Sequence, residues 1–165
     1  MNVDKFSCNH DSRVAVQRLV EFYEGLTGEH LQRLDAYYAV DAYFKDPFNE
    51  VRGVAAIASI FEHMFSSLQE PHFVVTQTLV QGHRAFLEWE FRFRLGHWRS
   101  EVEQCIRGAS SVCFDCEGRV THHRDYWDTA EELYEKLPLL GVLMRWLRRR
   151  VSAPAKSVHT NGSAS

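Results

Sequence analysis

The sequence predicts an α+β domain in which helices come first and a curved antiparallel sheet follows. Three observations carry that expectation. Apolar residues before residue 70 recur at helical spacing. Those between residues 72 and 126 alternate instead. The alternating segments are joined by short turns that contain glycine.

Val14 to Tyr23 places Val14, Leu19, Val20, Phe22 and Tyr23 at helical spacing, and Gly25 and Gly28 interrupt it. Leu31, Leu34, Ala36, Tyr37 and Tyr38 predict a second, short helix. Ala42 to Asp46 reads as a short strand stopped by Pro47, and Val51 to Gly53 as a short extended piece. Val54 to Leu68 is a helix with Ile57, Ile60, Phe61, Met64, Phe65 and Leu68 on one face.

His72–Gln81, Arg84–Leu95, Glu101–Phe114 and Arg119–Tyr126 are the expected strands, turned by Gly82-His83, Gly96-His97 and Cys116-Glu117-Gly118. Short connections between consecutive strands imply an antiparallel meander. Thr129 to Lys136 begins a helix, with Thr129 at the N-cap position and Glu132 three residues on. Pro138 to Arg150 is a C-terminal amphipathic helix that sets Leu139, Leu143, Trp146 and Leu147 against Arg145, Arg148, Arg149 and Arg150. Such a helix closes its own domain more often than it lies on an anionic membrane. Residues 1–151 are thus expected to form a single domain, and the Ser-, Ala- and Gly-rich stretch 152–165 a flexible tail.

Composition narrows the function. A chain of 165 residues with 45% hydrophobic and 25% charged residues has the makeup of a globular domain. A net charge of −3 argues against general nucleic-acid binding. No apolar run is long enough to span a bilayer, and Met1 to His10 lacks the apolar block of a secretory signal. Four cysteines in this length do not build a disulfide scaffold, so a cytoplasmic location is expected.

Two segments carry a family resemblance. Tyr43-Phe44-Lys45-Asp46-Pro47 follows two helices and precedes a long one. Gly118-Arg119-Val120-Thr121-His122-His123-Arg124-Asp125-Tyr126-Trp127-Asp128 ends the sheet. Together they resemble the nuclear-transport-factor-2-like superfamily, with its SnoaL-like proteins, ketosteroid isomerases and limonene epoxide hydrolases. The likeness covers roughly residues 13 to 140. It implies a cone-shaped fold, the sheet wrapped around the N-terminal helices with a pocket between the layers.

The resemblance also implies site residues. Asp46 matches the proton-shuttling base of the isomerases, while an Asp-Pro step is equally a turn that caps its own backbone. Asp125 matches the carboxylate that activates water in the hydrolases. Alternation puts His123, Asp125 and Trp127 on one strand face, so His123 is its acid/base partner. A solvated Asp125 on a polar edge strand, paired with Arg92, is the other reading. Glu90 matches an inward hydrolase carboxylate, held by Arg92. Bare alternation instead makes Leu87, Trp89, Phe91 and Phe93 the core face and turns Glu90 to solvent. Following the resemblance, Glu90 points inward, and Trp89, Phe91 and Phe93 are buried in a homodimer. Phe44, Phe48, Phe61, Phe65, Ser110 and Trp127 complete the expected substrate wall. The chain departs from the isomerases at Leu19 and Ser110, and from the hydrolases at Phe44 and Glu88. Tyr23, Tyr37 and Tyr38 are the tyrosines available to substitute.

Other motifs are weaker. Cys113-x-x-Cys116 with His122 and His123 offers metal-ligand types without a second pair at matching spacing, so no metal is expected. A Ser110–His123–Asp125 triad can be written, but nothing around Ser110 reads as a nucleophile turn. No glycine-rich phosphate loop occurs, and no cofactor is expected. The readings that follow are a cofactor-free acid/base enzyme on an apolar small molecule, of isomerase, cyclase or epoxide-hydrolase type; a non-catalytic binder of such a ligand; and a dimeric scaffold whose pocket is filled by side chains.

Overall fold

A computed structural model describes residues 12–94 and 103–129. The elements are α1 (Ser12–Glu24), a 3-10 helix (Gly28–Ala36), β1 (Tyr38–Lys45), β2 (Glu50–Arg52), α2 (Val54–Ser67), β3 (Gln69–Gln81), β4 (Arg84–Arg94), β5 (Gln104–Phe114) and β6 (Val120–Trp127). The expected helices over 129–136 and 138–150, the tail and the Gly96-His97 turn lie outside the described residues. No helix among the described residues is long and apolar enough to cross a membrane.

α1 forms because Ala15, Val16, Leu19, Phe22 and Tyr23 fall on one face, which the domain buries. α2 buries Ile57 and Phe61, and it packs on the 3-10 helix and β1. Gly53 separates β2 from α2 at φ 92°, a conformation that costs glycine little and other residues much. Its N–H donates to the Ala42 carbonyl at 2.9 Å, which ties the start of α2 to β1.

The strands form one sheet in the order β2-β1-β6-β5-β4-β3. β3 through β6 are the antiparallel meander that the spacing predicts. The sheet as a whole is mixed, because β1 joins β6 in parallel. That pairing is long-range and no local turn encodes it. It sets Phe44 beside His123 and so brings the N-terminal half of the chain to the end of the sheet.

β4 corrects the expectation for Glu90. Ala85, Leu87, Trp89, Phe91 and Phe93 are all buried, and Glu90 and Arg92 lie on the opposite face. There Arg92 donates to Glu90 at 2.7 Å, and Arg107 stands 3.4 Å from its other oxygen. The Arg92 hydrogen bond holds the Glu90 carboxyl below its ordinary pKa. The physical reason is desolvation: turning the strand over would bury two charges and expose three aromatic rings. Trp89, Phe91 and Phe93 therefore pack in their own chain's core and need no partner to cover them, and neither Glu90 nor Arg92 lines the inner cavity.

Candidate functional site

Beneath the helices, on the inner face of the sheet, lies a small cavity of about 30 Å³. Phe61 comes from α2, Tyr23 from α1, and Phe73, Leu87, Trp89, Ser110, His123 and Asp125 from β3 to β6. The volume admits a water or two. Asp125 also borders an open depression of about 560 Å³ at the sheet end, with Asp46, Trp127 and Asp128. The carboxylate stands where the narrow cavity and the open depression meet, its side chain 18% exposed.

Register explains how the polar side chains converge. Ser110 pairs with Asp125 across β5 and β6, both facing inward. Ser110 Oγ donates to Asp125 Oδ1 at 2.5 Å. His123, two residues before Asp125 and hence on the same face, places Nε2 2.8 Å from the same oxygen. Trp89 Nε1 donates to Ser110 Oγ at 2.8 Å. On the other side, the Tyr38 hydroxyl is 2.5 Å from His123 Nδ1, and the Tyr23 hydroxyl bonds that of Tyr38.

Asp125 Oδ1 accepts from Ser110 and from His123 Nε2. With that hydrogen on Nε2, Nδ1 accepts from Tyr38, which accepts from Tyr23. Hydrogen bonds run inward from both ends: Trp89 to Ser110 to Asp125, and Tyr23 to Tyr38 to His123 to Asp125. Burial, above all, raises both phenol pKa values, and the negative charge of Asp125 adds to it. Both tyrosines stay neutral donors.

The chain depends on one missing side chain. Gly108 is the cross-strand partner of Trp89. A Cβ there would sit 2.5 Å from the indole Cη2 and 2.6 Å from Cζ2, so only glycine lets the ring lie across β5.

The sequence-predicted residues part company here. Asp125, His123, Ser110 and Phe61 line the cavity. Phe44 is buried behind it, its ring 5.0 Å from that of His123. Phe65 packs half-buried against the core without reaching the cavity. Trp127 lines the depression, with the 56%-exposed Phe48 edge-on to it at 5.4 Å. Asp46 borders the same depression but turns inward on its own loop: it accepts from Phe48 N and Asn49 N at 2.6 Å and from Asn49 Nδ2. Ser110 bonds the carboxylate and not the imidazole, so the three residues do not form a nucleophilic triad. Cys116 is disulfide-bonded, whereas Cys113 is a free thiol, which splits the Cys-x-x-Cys pair. Sequence reasoning named Tyr23 and Tyr38 only as substitutes and assigned Trp89 to an interface. The alternation of β4 carried the signal that would have placed the indole inside.

The fold recurs among solved structures. A ketosteroid-isomerase-like protein from Catenulispora acidiphila, solved with trimethylamine, superposes with a TM-score of 0.61 at 16% identity, over 72% of this chain and 88% of that one. A candidate SnoaL-like polyketide cyclase from Shewanella putrefaciens gives 0.60 at 16%, over 74% and 95%. An epoxide hydrolase of M. tuberculosis, similar to limonene epoxide hydrolase, gives 0.58 at 17%, over 86% and 96%. Identities this low establish the fold alone. No curated protein matches the sequence. The SnoaL-like domain model matches residues 19–123, which runs from the buried face of α1 to the imidazole beside Asp125, and the chain belongs to the SnoaL-like domain family.

Proposed function

We propose that this SnoaL-like protein is a cofactor-free acid/base enzyme for a small, largely apolar molecule, with Asp125 as the general base. One observation carries the reading. Asp125 is a carboxylate at the boundary of an aromatic-walled cavity and an open depression, with Oδ1 fixed by Ser110 and His123. No hydrogen bond to Oδ2 occurs among the described residues, so that oxygen is the one to take a proton from a substrate or from a bound water. Ser110 and His123 prevent the carboxylate from rotating away, and Trp89 and Tyr38 hold those two residues in turn. Asp46, bound within its own turn, serves the shape of the mouth.

The small cavity favours one competing reading, a scaffold whose pocket is filled by its own side chains. Turnover decides between them. A panel of epoxides, ketones and hydroxylated rings is screened with the native chain and with Asp125→Asn, which keeps the shape and removes the base. Loss of a positioned base lowers the rate by about a hundredfold or more. Turnover unchanged in Asp125→Asn would overturn the assignment, and no turnover of any compound would favour the filled scaffold or a binder.

A further inference from the structure

The direction of the hydrogen-bond chain says what kind of ligand the cavity can hold. Each polar donor that lines or backs it is already engaged: Trp89 Nε1–H on Ser110, Ser110 Oγ–H on Asp125, His123 Nε2–H on Asp125, Tyr38 on His123, and Tyr23 on Tyr38. Among the described residues, no side-chain donor of the cavity is left for a ligand. The group left to meet one is Asp125 Oδ2, an acceptor that carries negative charge.

A carbonyl or epoxide oxygen set directly against Asp125 would face a like partner, and both would lose their hydrogen bonds to water, so a ketone or epoxide would have to present a C–H or a bound water there and keep its oxygen in the depression. A ligand that itself donates suffers no such loss. Among the described residues, His123 alone stands within ion-pair distance of Asp125, and no arginine or lysine reaches it. A cationic ligand would supply there the charge that no arginine or lysine brings. The walls agree. Tyr23, Phe61, Phe73 and Trp89 ring the cavity, with Phe73 edge-on to Tyr23 at 5.6 Å and to Trp89 at 5.8 Å. Aromatic rings around a carboxylate suit an ammonium ion better than a neutral polar head. The small volume limits the apolar part inside to a small alkyl group, the remainder lying in the depression.

We infer that this cavity is a binding site for a small alkylammonium cation, the ammonium donating to Asp125 Oδ2 and the alkyl group resting among the aromatic rings. The inference uses the site described above but holds whether or not Asp125 turns anything over.

The test is a titration of the full chain, followed by NMR or calorimetry at fixed ionic strength. Isopropylammonium, 2-propanol and acetone have nearly one shape and differ in what they present: a charged donor, a neutral donor and an acceptor alone. Isopropylammonium is expected to bind at least tenfold tighter than 2-propanol, and acetone more weakly still. Asp125→Asn should weaken isopropylammonium at least tenfold. Glu90→Gln, which removes a carboxylate from the outer face, should leave its affinity unchanged. Phe73→Leu, which keeps the carboxylate and removes one ring, should weaken the cation several-fold while sparing 2-propanol. Acetone binding as tightly as isopropylammonium overturns the inference. Equal losses from Glu90→Gln and Asp125→Asn overturn it as well, since they reduce the effect to surface charge.

Discussion

Asp125 and Glu90 are each held by two partners, on opposite faces of the same sheet, and they differ in what those partners are tied to. Glu90 meets Arg92 and Arg107 at the surface, their side chains 39% and 69% exposed. Asp125 meets Ser110 and His123, which are buried and anchored in turn by Trp89, Tyr38 and Tyr23. The first arrangement is local and open to salt. The second joins α1, β1, β4, β5 and β6 through one atom. Charge on an outer strand face can be supplied by any neighbour with a long arm, whereas charge inside needs a register that brings distant residues to one point.

His123→Leu is the severest way to break the inner arrangement. It takes the acceptor from the Tyr38 hydroxyl and one of the two donors from Asp125 Oδ1, which costs about 2–6 kcal/mol at roughly 1–3 kcal/mol for each group left short. Urea denaturation reads the change, and a loss no larger than that of a surface substitution would mean the chain is not under tension from both ends. Gly108→Ala should cost about 1–3 kcal/mol by overpacking the Trp89 indole. Its diagnostic mark is a shift in tryptophan fluorescence as the ring leaves Ser110.

Alkaline pH sharpens the comparison from another side. The folded chain keeps the Tyr23 and Tyr38 protons well above the usual phenol range, while the unfolded chain releases them near pH 10. The stability this confers is complete below about pH 10 and falls as pH rises beyond it, by up to about 1.4 kcal/mol per pH unit for each tyrosine. Tyr38→Phe should remove one tyrosine's share of that slope in denaturation curves between pH 10 and 12. The smallest effect belongs to Glu90→Gln: a stability change near the limit of detection, vanishing in high salt, as expected of a solvent-facing ion pair.

Much of this was legible in the sequence, and the parts that were not have physical reasons. Alternation in β4 is so regular that it alone places the aromatic face inside, and the resemblance that reversed it for Glu90 misled. Parity within β6 likewise puts His123 and Asp125 together, because strand geometry has a strict period of two. Tyr23 and Tyr38 could not be assigned to His123 in this way. They lie 100 and 85 residues away from it, on α1 and on a strand that joins β6 in parallel, and no local signal reports such a meeting. Asp46 shows the opposite limit. Its resemblance pointed to a base, but the Asp-Pro turn chemistry in the same four residues is what its carboxylate satisfies.

Two tyrosines in series also make the wall of the cavity a messenger. Each hydroxyl passes on the orientation of the one before it, so the pair behaves as a short row of reversible arrows. A proton added to His123 Nδ1 would turn both: Nδ1 would donate to Tyr38, Tyr38 to Tyr23, and the Tyr23 hydrogen would emerge into the cavity it lines. The reversal needs no backbone movement and no change of rotamer, only the rotation of two O–H bonds. An event at the imidazole, on the side away from Asp125, is thereby reported on a ring of α1 as a change from a wall with nothing to offer an oxygen to one that does.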